Sequence, residues 1–487
     1  MSARPRHVDR AGWVAAAESA DRLVALWGVD RRPQGGFAAC AAYVRKGALE
    51  WVDLDLGAGG AYPDLSRFFP HAVRMQRAAF DLVGVRAEGA SDERPWLDHG
   101  AWGSRFPLRF DATPADGAAR DYPFVRVEGE GVHEIPVGPV HAGIIEPGHF
   151  RFSVVGEKVL RLEERLGYTH KGIERRFTEL EPPEARRLAG RVSGDSTVAY
   201  AWAYCQALEA AAGVQAPPRA AWLRALALER ERVANHLGDL GALGNDAALA
   251  VGLAHFSRLR ETWQRRSREA FGHRLMMDFV APGGVAAEPG TVQLVAIADD
   301  CDALEREVRE LRTLYDEHAG LQDRFVTTGR VTPALAARLG LTGLAARASG
   351  QPIDLRVERP AGPYAALGVR IATQRNGDVA ARVNVRFDEV FESLRLIREI
   401  CARLPGGPVR APCAVPDTSA AMSAVEGWRG EVLVALELAG GRIRRCHLHD
   451  PSWQNWPVLE HAVIGNIVPD FPLINKSFNL SYSGHDL

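Results

Sequence analysis

A change of periodicity constrains this fold more than any other feature: strand-like alternation dominates before about residue 165, and long helical patterns follow Gly172. The stretches ARRLAGRVSGDSTVAYAWAYCQALEAAAG, PPRAAWLRALALERERVANHLGDLGALG and VQLVAIADDCDALEREVRELRTLYDEHAGL carry apolar residues at helical spacing. A fourth, DEVFESLRLIREICARL, predicts a helix beginning at Asp388. In the second, Leu226, Val233, Leu237 and Leu240 share one side, the stripe that a helix buries against a core. Ahead of these, AAYVRKGALEWVDLDL alternates about a Lys-Gly turn and predicts a hairpin; HFRFSVVGEKVLRLEERLG predicts another about Gly156. The run YPDLSRFFPHAVRMQRAAFDLVGV reads as a helix stopped by Gly84. A last hairpin is expected about Gly440-Gly441. The pattern is α+β: a small α/β domain, then a larger, mostly helical domain with small peripheral sheets.

Charge and composition exclude several classes of function. Lys+Arg is 59 against Asp+Glu 61, so the chain has no basic excess with which to bind nucleic acid. No apolar stretch reaches the roughly 20 residues that cross a bilayer. Glu18, Asp21 and Arg22 break what would have to be the apolar core of a signal peptide, and the segment reads instead as an amphipathic helix with Trp13, Val14, Leu23 and Trp27 on one side. The expectation is a cytoplasmic protein that reaches a membrane only through partners. Six cysteines stand without a CxxC pair, which gives neither a disulfide framework nor a self-contained iron–sulfur site. Cys446 with His447 and His449 reads as a half-buried thiol beside surface histidines. Neither GxGxxG nor GxxxxGK[ST] occurs, so direct binding of NAD or ATP has no support.

Four groups of polar residues stand in apolar or glycine-rich surroundings. GPVHAGIIEPGHFRF puts His141, Glu146 and His149 in one loop, with Gly143 and Gly148 allowing close backbone approach. GYTHKGIERRF gathers His170, Lys171, Glu174 and Arg175. Arg191 and Asp195 precede a helix. ERERVANHLGDLGALGNDAA sets Glu229, Arg232, His236 and Asp239 on one polar stripe, whose ordinary reading is a solvated helix face.

These segments, with APGGV, RASGQPIDLR, PYAALG, GDVAARVNVRFDEVFESLRLI and DFPLINKSFNLSYSGHDL, resemble in order the large subunits of nickel–iron hydrogenases of the formate-hydrogenlyase type and their relative, the D subunit of respiratory complex I. YPDLSRFFPHAVRMQRAAFDLVGV, RPWLDHGAW and FPLRFD resemble the C subunit of complex I, fused in front. The residue pattern gives a helical extension (1–37); the resemblance, over about 38–487, implies a domain like the complex I C subunit (38–115), a linker (116–135) and a domain like the hydrogenase large subunit or the complex I D subunit (136–487). In that family two CxxC pairs hold the metals. Here Ser193, Ser196, Ser481 and Gly484 stand at the four positions, and neither hydroxyl nor hydrogen is a ligand for nickel and iron as thiolate is.

What the resemblance then implies is the large core subunit of a membrane-associated complex-I-like or hydrogenlyase-like oxidoreductase, one that lacks the nickel–iron centre and binds no cofactor of its own. A small iron–sulfur subunit and antiporter-like membrane subunits would be its partners on the cytoplasmic face of the inner membrane. A quinone-like acceptor would sit at the interface, any NAD linkage belonging to other chains. His149, or His141, would be the proton donor and Asp246 its partner, with His170, Glu174 and Arg191 as a charged network behind the cavity. The tyrosine that complex I offers to quinone falls at or beside Gly194, and Tyr200 is the nearby substitute. The rival reading is a non-catalytic scaffold or coupling subunit.

Overall fold

The computed structural model describes residues 2–33, 35–142 and 145–487. Its N-terminal part is built on a four-stranded sheet of β1 (Pro5–Val8), β2 (Arg22–Asp30), β3 (Phe37–Arg45) and β4 (Ala48–Gly57), in the order β1-β4-β3-β2. Only the β1–β4 pair is parallel. The β3–β4 turn is the expected Lys46-Gly47, and both residues take positive φ, as a two-residue hairpin of right-handed twist requires. The first 37 residues are not a helical extension. The helix α1 covers only Arg10–Glu18, with the Asp9 side chain accepting from Gly12 N, and Leu23 and Trp27 lie on β2. Seven consecutive residues of β2 are buried, so the strand shows none of the alternation that would have distinguished it from a helix. The helix α2 (Ala72–Val83) packs on β2 and stops at left-handed Gly84, as expected.

A three-stranded antiparallel sheet follows: β5 (Val132–Val137), β6 (His149–Val155) and β7 (Lys158–Arg165). Since β5 opens at Val132, the end of the segment expected as linker is strand. The helical body comprises α3 (Thr197–Ala212), α4 (Pro218–Asp246), α5 (Ala250–Phe271), α6 (Thr291–Glu317) and α7 (Val379–Arg403), with α4 packed against both α5 and α7. The last begins well before Asp388. Asp378 is its N-cap and accepts from Ala381 N at 2.8 Å, while Asp388 lies within the helix on an ion pair with Arg312. A second four-stranded sheet then forms from β8 (Ser419–Glu426), β9 (Glu431–Ala439) and β10 (Arg442–His449), completed by the two residues Ser2–Ala3 beside β8. The β9–β10 turn is the predicted Gly440-Gly441, both at positive φ. The helices α8 (Ser452–Ala462) and α9 (Phe471–Phe478) close the structure.

One core fills the helical body and one face of β8–β10; a second joins the N-terminal sheet, α2, β6, β7, α8 and α9. A third, with Val24, Trp27, Cys40, Trp51, Met422 and Leu433, lies between the two four-stranded sheets. That seam explains why His447 and His449 are buried rather than at a surface, while Cys446, on the other face of β10, is buried in the first core. His447 stacks on Trp27 at 4.8 Å and bonds Glu174 at 2.8 Å. Among the described residues, no helix is long and apolar enough to cross a membrane.

Candidate functional site

The residues flanking α3 meet the C-terminal segment. Ser193 and Ser481, 288 positions apart, bring their hydroxyls to 3.3 Å. Ser193 and Ser196 both donate to Asp195 Oδ1, at 2.7 and 3.1 Å. Arg429, on the turn between β8 and β9, grips the same carboxylate with Nη1 at 2.9 Å and Nη2 at 2.5 Å. The neighbouring Trp428 indole donates to Asp195 O at 3.0 Å and Ser196 Oγ at 3.1 Å. Burial pushes the Asp195 carboxyl up, but Arg429 and the two serine hydroxyls outweigh it and hold the group down to about 2. Arg429 Nε donates to Asn479 O at 2.6 Å, and Asn479 Nδ2 to Asp239 Oδ1 at 2.6 Å, which ties α4 into the cluster.

On the other side, Ser481 Oγ accepts from Gly484 N at 2.8 Å and caps the last helical turn. Tyr200 is fully buried, and its hydroxyl donates to Asp450 Oδ2 at 2.7 Å. Burial and the Asp450 charge push its phenol well above the ordinary range. Tyr200 is therefore committed inside the protein and presents no hydroxyl to a ligand. A Cβ built on Gly484 would stand 2.6 Å from Asp450 Oδ2 and 2.9 Å from Ser481 Oγ. Both oxygens are pinned by hydrogen bonds, so Gly484→Ala is expected to destabilise the protein by about 1–3 kcal/mol in denaturant unfolding.

The polar stripe on α4 is not solvated. Glu229, Arg232 and His236 are fully buried and Asp239 nearly so, because α7 and the segment around Arg356 bring opposite charges over them. Glu229 accepts from Arg356 at 3.1 Å, Tyr364 Oη at 2.7 Å and Ser393 Oγ at 2.7 Å, and Arg232 lies at 3.3 Å. His236 Nε2 meets Glu389 at 2.8 Å, and Asp239 pairs with Arg386 at 2.8 Å. Glu231, from the same helix, instead accepts the first amides of α3, Val198 N at 2.6 Å and Ala199 N at 3.2 Å.

Burial raises the Glu231 carboxyl to about 8. The folded state thus keeps a proton that the unfolded chain releases near its ordinary value, about 4.3. Stability should fall as pH rises from there towards about 8, and Glu231→Gln should remove that slope in melting curves taken across the range.

The histidine loop packs against the C-terminal segment. Glu146 Oε2 accepts from Ser483 N at 3.2 Å, and a Cβ on Gly148 would stand 2.7 Å from the Tyr482 ring. Gly143 lies outside the described residues. His141 Nε2 is 2.8 Å from Gly148 O; His149, first residue of β6, has Nδ1 3.2 Å from Gly138 O and packs against Phe124. Asp246 ends α4 as an exposed residue and is hydrogen-bonded to neither histidine. Burial first, then the Arg151 and His141 charges, push His149 below the ordinary range, which disfavours the protonated form a proton donor would need.

His170, Glu174 and Arg191 do not form one network. His170 Nδ1 is 2.8 Å from Asp486 O, Glu174 is held by Arg445 and His447, and Arg191 pairs at the surface with Asp278. Sequence reasoning missed Arg429, Trp428, Asp450 and Asn479. The only local signal was the sequence Gly-Trp-Arg-Gly, a bulky aromatic and a cation inside a glycine turn.

A small α/β domain thus stands on the N-terminal side of a helical body, with a buried polar cluster where the chain's middle and end converge. Residues 4–117 match the respiratory-chain NADH dehydrogenase 30 Kd subunit, and residues 246–418 match its 49 Kd subunit. Formate hydrogenlyase subunit 5 of Escherichia coli is 30% identical over 95% of this chain and 84% of its own length. The fused C/D subunit of NADH-quinone oxidoreductase from Bacteroides thetaiotaomicron is 27% identical over 78% of this chain and 76% of its own. A chain of the archaeal membrane-bound sulfane sulfur reductase shares the fold at a TM-score of 0.69, with 24% identity, over 75% of this chain and all of that one. The chain belongs to the family of fused complex I 30 and 49 kDa subunits and membrane-bound hydrogenase large subunits.

Proposed function

We propose that this chain is the large core subunit of a membrane-associated, complex-I-like oxidoreductase that works without a nickel–iron centre. The observation that carries this reading is the convergence of Ser193, Ser196 and Ser481 around an Asp195–Arg429 pair. The four former thiolate positions supply three hydroxyls and a glycine, and the hydroxyls are engaged with Asp195 or with backbone amides. Such a donor set does not fit nickel or iron, which in this family are held by soft thiolates. Elemental analysis of the assembled complex, purified from nickel-replete cells, is expected to find no stoichiometric nickel. One nickel per chain would overturn the reading.

The likeness to NADH-quinone oxidoreductase subunits carries the second half of the proposal. Electrons would arrive from a small iron–sulfur subunit and pass to a quinone-like acceptor at the interface, beside the loop from His141 to His149. Antiporter-like membrane subunits would anchor the complex at the cytoplasmic face of the inner membrane. The bond from Ser483 N to Glu146 ties this loop to the C-terminal segment that carries Ser481. His149, held neutral by its surroundings, would serve as a hydrogen-bond partner of the acceptor.

The scaffold reading has its own support in Tyr200, whose hydroxyl is turned inward to Asp450. His141→Ala, His149→Ala and Asp246→Asn in the assembled complex separate the two. A drop in quinone-analogue reduction for either histidine variant, with assembly intact, is expected for the acceptor reading. Wild-type rates in all three leave the scaffold.

A further inference from the structure

The buried charges gathered around α4 do not balance. Glu229, Asp354, Glu389 and Glu426 are joined to Arg232, Arg347 and Arg356 in one network of ion pairs, and every member is buried. Four carboxylates thus share three arginines. The cations at its border are already committed: Arg386 pairs with Asp239, Arg22 lies between Glu431 and Glu358, and Arg359 also holds Glu431. An uncompensated charge is costly away from water, so a network of this composition has use for one proton.

His236 is the nearest base, but the geometry does not suit it to hold that proton. Its Nε2 meets Glu389 at 2.8 Å, while Nδ1 is buried without a partner. A proton on Nδ1 would create a buried N–H with nothing to accept it. Burial first, then the Arg386 and Arg232 charges, push this imidazole below the ordinary range. The four carboxylates are not served equally either. Glu229 has Arg232, Arg356 and two hydroxyls, and Asp354 is held by Arg356 through Nε and Nη2. Glu389 takes Arg347 Nε at 2.7 Å and His236. Glu426 has only Leu355 N at 3.1 Å and Nη1 of that same Arg347 at 2.8 Å. It is the least compensated member. Burial and the nearby Asp354 charge raise it to about 6, against the pull of Arg347 and Arg232.

Glu426 ends β8, and the turn that follows it carries Trp428 and Arg429 to the serine cluster. Arg232 fastens this connection by donating to Glu426 O at 2.8 Å and Gly427 O at 3.0 Å, and Trp428 packs edge-on against His236. The odd carboxylate of the network therefore stands on the same turn that grips Asp195.

We propose that Glu426 is a proton-binding site, ionised in the resting complex at neutral pH, which takes one proton from solvent when an electron arrives on the iron–sulfur cluster of the partner subunit. The proton cancels the added negative charge, and the O–H of the Glu426 carboxyl is the only bond formed. The electron-linked half rests on the function proposed above; the proton site itself does not.

Infrared difference spectroscopy of the assembled complex tests both halves. Lowering the pH through about 6 is expected to bring up the carbonyl band of a protonated carboxyl, shifted in D2O and absent from Glu426→Gln. Reduction by dithionite at neutral pH should bring up the same band, whether or not the complex reduces a quinone analogue, so failure here and failure of the acceptor reading are separable. Melting curves add a second readout. The folded state holds this proton up to about 6, the unfolded chain only to about 4.3, so wild type loses stability as pH rises between the two. Glu426→Gln lacks the odd charge and should melt no lower than wild type at neutral pH, with a gap that closes as the pH falls. If that variant does not assemble, Glu426→Asp must shift the band. A band that persists in Glu426→Gln, a band that Glu426→Asp leaves in place, or a band indifferent to reduction overturns the proposal.

Discussion

Arg429→Ala is expected to lower the stability of the protein by about 3–5 kcal/mol, the cost typical of removing one partner of a buried ion pair. The Arg429 side chain is 7% exposed and that of Asp195 30%, so solvent replaces little of what is lost. The substitution leaves the Asp195 carboxylate with only two serine donors, strips Asn479 O of its donor and removes the cation packed 4.0 Å over Trp428. Asp195 should then titrate upward, because Arg429 is the strongest influence that opposes its burial. Urea unfolding of the variant and of Arg429→Ala/Asp195→Asn provides the check. The double variant should recover part of the loss, since it no longer buries an uncompensated charge. Equal stability of wild type and Arg429→Ala would show that the serine cluster does not need its arginine.

An effect of similar size is expected at Glu229. Its carboxylate is fully buried and faces Arg232 and Arg356, while Tyr364 and Ser393 donate to it. Attraction to the two arginines, against the cost of burial, holds it below the ordinary glutamate range. In Glu229→Ala two buried cations lose a counter-charge and two hydroxyls lose an acceptor, a loss of about 3–5 kcal/mol by the same reasoning. Glu229→Gln keeps the shape and part of the hydrogen bonding, so it should fall between. The comparison is best read by chemical unfolding at neutral pH. A Glu229→Ala protein as stable as wild type would mean that Asp354, which also pairs with Arg356, suffices alone.

Much of the fold was legible because its signals are local. The hairpin at Lys46-Gly47, the stop at Gly84 and the turn at Gly440-Gly441 each need a backbone conformation that glycine supplies. The strand β2 was not legible, since burial on both faces erases the period of two, and Ala-rich neighbours suggested a helix. The start of α7 was misplaced for a related reason: Asp378 and Asp388 are both plausible caps, and only the bonded partner, Ala381 N, distinguishes them.

At the site, family resemblance located Ser193, Ser196 and Ser481, but not what now surrounds them. Arg429 and Asp450 come from turns next to β9 and β10, over 200 residues from Asp195 and Tyr200, and no spacing rule connects such distances. The stripe Glu229–Asp239 was correctly seen as one face of a helix. Its burial could not be read, because that depends on α7 bringing Arg386 and Glu389 to the same place.

The seam between the two four-stranded sheets has a consequence for how the protein is made. Arg22 is bonded to Glu431 and Arg31 to Glu437, and Trp27 and Trp51 share a core with Met422 and Leu433. An emerging polypeptide therefore exposes the apolar outer side of its first sheet until some four hundred further residues have left the ribosome. At about 5–20 residues per second, that side waits for tens of seconds. Contacts so distant along the chain form slowly and leave unpaired apolar surface in the meantime.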